Sequence, residues 1–254
     1  MLLKRKFLSI ALALGAIALS GCSSTGHDHA HAWGYEGNIG AAHWGDLKPE
    51  YATCKLGSKQ SPIDLTGAKV SKLSPIKFSY KSSQLKIIDN GHTIQTNFVP
   101  GSTITVNGKK YNLLQMHFHQ PSEETVNGKA YPMNAHLVHK SADGKLAVVG
   151  VFMKEGKENS FLKAIWKNIP QQKDKEVAVS KVKINLAKFL PKNKHYYAYT
   201  GSLTTPPCSE DVTWMVMKTP VEVSKMQIAA FGKYYSHNAR PVQPLNDRVL
   251  KVSK

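Results

Sequence analysis

The sequence lacks an apolar run long enough to span a bilayer. Its one candidate, Phe7 to Leu19, is too short and follows Lys4-Arg5-Lys6 directly, which is the pattern of a signal peptide. No internal repeat, heptad pattern or second domain is visible, and 254 residues suffice for one domain with a substantial core. No H-E-x-x-H occurs, so a helical zinc-peptidase site is set aside. Acidic residues are scarce, 17 against 34 Lys and Arg, for a formal net charge of +17. Losing the three charges of Lys4, Arg5 and Lys6 with the leader lowers it to +14. The lysines are scattered among turns and strand edges rather than gathered into an aromatic-interleaved patch, so the surface reads as a solvated one. Nucleic acid is not an expected partner.

Cysteine is also scarce, with three in the chain. Leu19-Ser20-Gly21-Cys22 looks like a bacterial lipobox, which implies cleavage before Cys22 and lipid on its thiol. Residues 1–21 then form a lipoprotein-type signal peptide. The mature chain is exported and lipid-anchored in the cell envelope, facing the periplasm. Ser23 after the lipidated cysteine favours the outer membrane in a Gram-negative cell. Residues 22–32 read as a flexible tether, with His27, His29 and His31 in it, and residues 33–254 as the folded domain. Cys54 and Cys208, left together in an oxidising compartment, are expected to pair.

What the sequence does have is a histidine pattern on strands. In Gln115-Met116-His117-Phe118-His119, strand alternation puts Gln115 and both histidines on one face. Asn134-Ala135-His136-Leu137-Val138-His139 is a second period-2 run. Paired antiparallel beside the first, it brings His136 to that face with Val138 beside it. Three neutral imidazoles on a rigid sheet suit a catalytic Zn2+, because a fourth tetrahedral position stays open. Around these runs the pattern is mostly β. Asn107-Gly108 and Asp143-Gly144 mark hairpins, and Asn127-Gly128 marks a further turn. Helices are few: one capped at Asn159 or Ser160, carrying Phe161, Leu162, Ile165, Trp166 and Ile169, and one near Ser224 with Met226, Ile228 and Phe231, their apolar faces turned to the core.

Further segments stand in a telling order: Gln60-Ser61-Pro62, Asn90-Gly91-His92, the histidine runs, Tyr199 to Pro207, and Val212-Thr213-Trp214. From Trp33 to about Arg248 the chain resembles the α-class carbonic anhydrases. The resemblance implies a mainly β (α+β) single domain around a large, mostly antiparallel central sheet with a few short peripheral helices. It implies zinc-dependent hydration of CO2 to bicarbonate by zinc-bound hydroxide, with His117, His119 and His136 as ligands. Gln115 matches the residue that accepts from His117. Thr204 matches the threonine that accepts from the hydroxide and donates to a carboxylate, here Glu123. His92 matches the proton shuttle, and Tyr35, Asn90, Gln95 and Thr205 match positions along the water path. Val138, Val148, Leu203, Val212 and Trp214 match the apolar CO2 pocket. Ser61-Pro62 and Pro206-Pro207 match sites of cis peptides. A bridge like Cys54–Cys208 occurs in many extracellular members. An oligomeric state is not specified, and a dimer is compatible with the pattern.

One position departs from the family. Two residues before the third ligand, where glutamate is usual, stands Asn134. Asparagine accepts through its oxygen but is neutral, so the expectation is looser zinc and faster metal exchange than in an Asn134→Glu form. Glu124, where several relatives have histidine or asparagine, reads as tolerated loop variation. The competing reading is a catalytically weak, carbonic anhydrase-like zinc-binding or adhesive envelope protein. The ligands, Thr204 and Glu123 all being present favours the enzyme.

Overall fold

The structure is a computed structural model, and it describes residues 32–254. The expected signal peptide, Cys22 and the histidines at 27, 29 and 31 lie outside the described residues. Among the described residues no helix is long and apolar enough to cross a membrane.

Among the described residues, alternating apolar residues build a twelve-stranded sheet, accompanied by a separate two-stranded ribbon around Asn127-Gly128. At its centre the strand Lys109–His119 pairs antiparallel with Met133–Ser141, which pairs antiparallel with Leu146–Glu155. Leu146–Glu155 then pairs in parallel with Val212–Val223, and Tyr196–Gly201 follows antiparallel. The remaining parallel pairing joins Lys69–Ser71 to Lys251–Ser253, so the sheet is mostly antiparallel, as expected. Its hairpins fall where the turn residues are: Asn107 and Gly108 have φ of 50° and 75°, and Gly144 has φ of 84°.

These central strands are buried on both faces, and alternation divides their side chains between two cores. Met116, Phe118, Ala135, Leu137, Val149, Val151, Met215 and Met217 face the main core, which the helix Ser160–Trp166 covers with Phe161, Leu162 and Ile165. Val138, Val148, Val212 and Trp214 face the opposite way, into a second cluster. The side on which Gln115 lies depends on a bulge. Leu113 pairs with His139 while Gln115 pairs with Val138, leaving Leu114 unopposed and 40% exposed. Before the bulge the core-facing residues are Tyr111 and Leu113; after it they are Met116 and Phe118. That change of parity turns Gln115, His117 and His119 away from the main core.

Asn159 caps the first helix, accepting from the backbone N–H groups of Phe161 and Leu162. The second, Lys225–Gly232, starts at a capping box formed by Ser224 and Gln227. Its apolar reading needs one correction. Met226 is 83% exposed, because the box turns Gln227 and Phe231 inward and leaves Met226 on the outer face. Ser61-Pro62 and Pro206-Pro207 are cis, as is Gln120-Pro121. A disulfide joins Cys54 to Cys208 across 154 residues, with Trp33, Tyr35 and Trp44 packed around it.

Candidate metal centre

His117 and His136 are register partners on adjacent strands, and His119 lies two residues further along the first. One ring nitrogen from each of the three lies within 4.8 Å of the others. Hydrogen bonds select which nitrogen is free. His117 donates from Nδ1 to Gln115 Oε1 at 2.8 Å, and His119 donates from Nδ1 to the backbone oxygen of Asn238 at 2.7 Å. His136 is engaged on the other nitrogen: its Nε2 lies 3.2 Å from Glu124 Oε2 and 2.9 Å from Asn134 Nδ2. The nitrogens left over are Nε2 of His117, Nε2 of His119 and Nδ1 of His136.

A divalent ion fits this set. Among the described residues His119 Nε2 is buried without a hydrogen-bond partner, an arrangement that is costly unless something else coordinates it. Burial, together with the charge that His136 would carry, pushes His117 down to about 3, and His119 also falls well below the ordinary histidine range. Both rings are therefore neutral, as ligands must be. At His136 burial acts in the same direction, but Glu124 and then Glu123 outweigh it and raise the pKa.

Glu123 is buried beside the centre. Its Oε2 lies 3.4 Å from His119 Nε2 and 3.6 Å from His136 Nδ1, while its Oε1 accepts from the backbone N–H of Arg240 at 2.8 Å. Burial and the neighbouring Glu124 push its carboxyl up to about 7. The charge of His136, the Arg240 N–H and the Thr204 side chain pull the other way. Thr204 itself is buried, in the loop pinned by the Leu203-to-Ser209 backbone hydrogen bond.

The apolar positions converge. Val148 stands between Val138 and Trp214 in register, and Val212 completes a wall with the partly buried Leu203. The Trp214 ring approaches His136 with centroids 4.8 Å apart. On the other flank, Asn90 Oδ1 accepts from the backbone of His92 and Thr93, and its Nδ2 donates to Gln95 Oε1 at 3.3 Å. Gln95 is the register partner of His117. His92 stacks on Trp33. Tyr35 is half-buried against Trp33 and Trp44, its hydroxyl pKa raised by burial and by Glu123. Thr205 is half-buried next to Thr204, with its backbone oxygen accepting from Cys208.

Two sequence expectations need correction. Asn134 does not present its oxygen to His136. Its Nδ2 donates to Glu124 Oε2 at 2.6 Å, and its Oδ1 has no hydrogen-bond partner among the described residues. The reverse orientation would press an amide oxygen against a carboxylate oxygen. Nor is Glu124 mere loop variation: its side chain is completely buried, in contact with Asn134 and His136.

Two residues went unnoticed in the sequence. Asn238 supplies the oxygen that holds His119, and its side chain ties Gln120 N to the backbone oxygens of His92 and Phe118. Arg240 holds Glu123 through its backbone while its guanidinium binds Gln60 Oε1, Ser61 O and Cys54 O. Both lie in Asn238-Ala239-Arg240-Pro241, where no spacing rule signals a contact with residues far back in the chain.

Comparison with known proteins agrees with this geometry. The family model for eukaryotic-type carbonic anhydrase matches residues 39–254. A carbonic anhydrase of Nostoc sp. strain PCC 7120 is 44% identical over 223 residues, 86% of this chain and 84% of the relative. A hyperthermostable carbonic anhydrase from an active hydrothermal vent chimney superposes with a TM-score of 0.85 at 49% identity, covering 87% of this chain and all of that one. An α-carbonic anhydrase of Thermovibrio ammonificans, solved with the inhibitor sulfanilamide, gives 0.83 at 48% identity, over 87% of this chain and 98% of that one.

Proposed function

The chain belongs to the eukaryotic-type, or α, carbonic anhydrase family and is a carbonic anhydrase, and we propose that it hydrates CO2 reversibly at a single Zn2+ held by His117, His119 and His136. The observation that carries this reading is the cluster of three imidazoles whose outer nitrogens are each engaged while the inner ones face one another. Zinc, when bound, is a Lewis acid that makes hydroxide available near neutral pH, a property for which carbonic anhydrase is itself the standard example.

The residues around it divide the remaining work. In hydration an oxygen lone pair forms the new C–O bond, a C=O π pair moves onto oxygen, and water's second proton has to leave. Thr204 donates its hydroxyl proton to Glu123 and is left able only to accept, so it aims the attacking oxygen's lone pair at substrate. Arg240, through its N–H, keeps Glu123 in place for that contact. Val138, Val148, Leu203, Val212 and Trp214 form an apolar wall where CO2, which offers little to hydrogen-bond, rests beside the metal. His92 takes the proton onward, with Tyr35, Asn90, Gln95 and Thr205 lining the water between.

We further propose an exported, lipid-anchored enzyme. The Cys54–Cys208 disulfide supports an oxidising compartment, and the Leu19-Ser20-Gly21-Cys22 sequence supports attachment at Cys22, facing the periplasm.

The test is a stopped-flow CO2-hydration assay on the wild type and His117→Ala, each with its zinc content measured. Wild type should turn over with one zinc per chain and His117→Ala should lose both. Full turnover by a His117→Ala protein depleted of zinc would overturn the proposal.

A further inference from the structure

The carboxylate that serves the third ligand comes from an unexpected element. Glu124 Oε2 sits at one corner of a triangle of polar atoms, 3.2 Å from His136 Nε2 and 2.6 Å from Asn134 Nδ2, with the two nitrogens 2.9 Å apart. All three side chains are buried, so no water competes for these contacts. Two N–H groups pointing at each other would repel. Both instead converge on the single anionic oxygen, the one acceptor in the triangle.

We propose that Glu124 is the positioning residue of the metal centre, fixing and polarising His136 through Nε2, and that Asn134 is its complement rather than a weakened substitute for glutamate. This rests on the reading of His136 as a zinc ligand.

The loop is built to hold that carboxylate. Ser122 Oγ donates to the backbone oxygen of Glu124 at 2.7 Å and accepts from Tyr131 N at 2.9 Å, while Thr125 O accepts from Leu65 N at 2.9 Å and Thr125 Oγ1 donates to Asp64 at 2.7 Å. With its own carbonyl and the neighbouring Thr125 anchored, Glu124 has little freedom to turn outward. Asn134 fits the arrangement for two reasons. It is one methylene shorter than glutamate, which leaves room for the incoming carboxylate, and it donates where a carboxylate would repel. A glutamate at 134 with Glu124 in place would confront two buried anions at hydrogen-bond distance. The identities at 124 and 134 therefore depend on each other, and the negative charge absent from the strand is restored from the loop.

The experiment measures zinc release to a chelator, and the visible spectrum of the Co2+-loaded chain, for wild type, E124Q, N134E, E124Q/N134E and H136A. Removing the carboxylate should speed zinc release by about 10- to 100-fold in E124Q, the usual range for losing such a partner, and should alter the Co2+ bands. The relocated carboxylate in E124Q/N134E should bring release back to within about threefold of wild type, a rescue that loss of a merely structural contact would not show. N134E alone should retain zinc no better than wild type. Equal release from E124Q and wild type overturns the proposal. If E124Q does not fold, E124Q/N134E decides: wild-type retention supports relocation, and release as fast as from H136A overturns it. If H136A itself holds zinc as firmly as wild type, the ligand assignment fails instead, whatever Glu124 does.

Discussion

The indole of Trp33 lies flat against the imidazole of His92, with ring centroids 3.7 Å apart and planes 5° from parallel. Trp33 is itself braced edge-on by Trp44, whose Nε1 donates to Gly34 O at 2.7 Å. The proposed proton carrier therefore has one face covered by a fixed aromatic plane. His92→Ala should lower kcat by roughly 100-fold in dilute buffer, the low end for a lost acid–base group, and leave kcat/KM nearly unchanged, since CO2 has already reacted when the proton departs. Imidazole added as buffer should restore kcat. Trp33→Ala should change kcat in the same selective way. A parallel fall in kcat/KM for both variants would place the pair in substrate binding instead.

Val148 sits between Val138 and Trp214 in the sheet, and both valines are buried. Val138→Phe should fill the space against the apolar wall and lower kcat/KM by about tenfold or more, at unchanged zinc content, because a steric change of even one methylene in an apolar pocket is worth about 1–3 kcal/mol of substrate discrimination. The check is steady-state kinetics beside metal analysis. Unchanged kcat/KM would remove the wall from the CO2 site.

The Cys54–Cys208 bond closes 154 residues and anchors more than its own loop. Arg240 donates to Cys54 O, and Gln60 donates to Cys208 O. The double Cys54→Ala, Cys208→Ala variant should lose about 2–5 kcal/mol in guanidinium unfolding. Its activity should fall as well, because Arg240 and Cys208 flank the groups that hold Glu123 and Thr204. Stability within about 0.5 kcal/mol of wild type would show the bond to be dispensable.

His139 is fully buried, with Nε2 2.9 Å from the Tyr80 hydroxyl. Burial pushes it down to about 4. The unfolded chain, titrating near 6.5, takes up a proton that the fold refuses, so stability is full above about pH 6.5 and falls as pH drops towards 4. The loss attributable to this residue is at most about 3 kcal/mol. Urea midpoints at pH 7.5 and pH 5 should differ less in His139→Gln than in wild type, and equal differences would refute the assignment.

The sheet and its site were legible in the sequence to different depths. The turns at Asn107-Gly108 and Asp143-Gly144, the cap at Asn159 and the helix starting near Ser224 are local chemistry, and each is found where its residues stand. His117, His119 and His136 were legible because strand alternation is a strict rule. The bulge at Leu114 was not read, although its trace is there: apolar positions shift from odd to even numbers between Leu113 and Met116. Asn238, Arg240 and the Glu124–Asn134 pair were hidden for another reason. Their contacts span from ten residues to well over a hundred, and an asparagine or glutamate in a loop carries no periodicity that marks it as buried.

The most direct measurement is CO2-hydration activity as metal-stripped chain is titrated with zinc. Activity should be absent at the start, rise linearly and level off at one equivalent per chain, and the triple variant with alanine at 117, 119 and 136 should show no rise. Full activity in the stripped protein, or the same titration curve from the triple variant, would contradict a single zinc held by these three histidines.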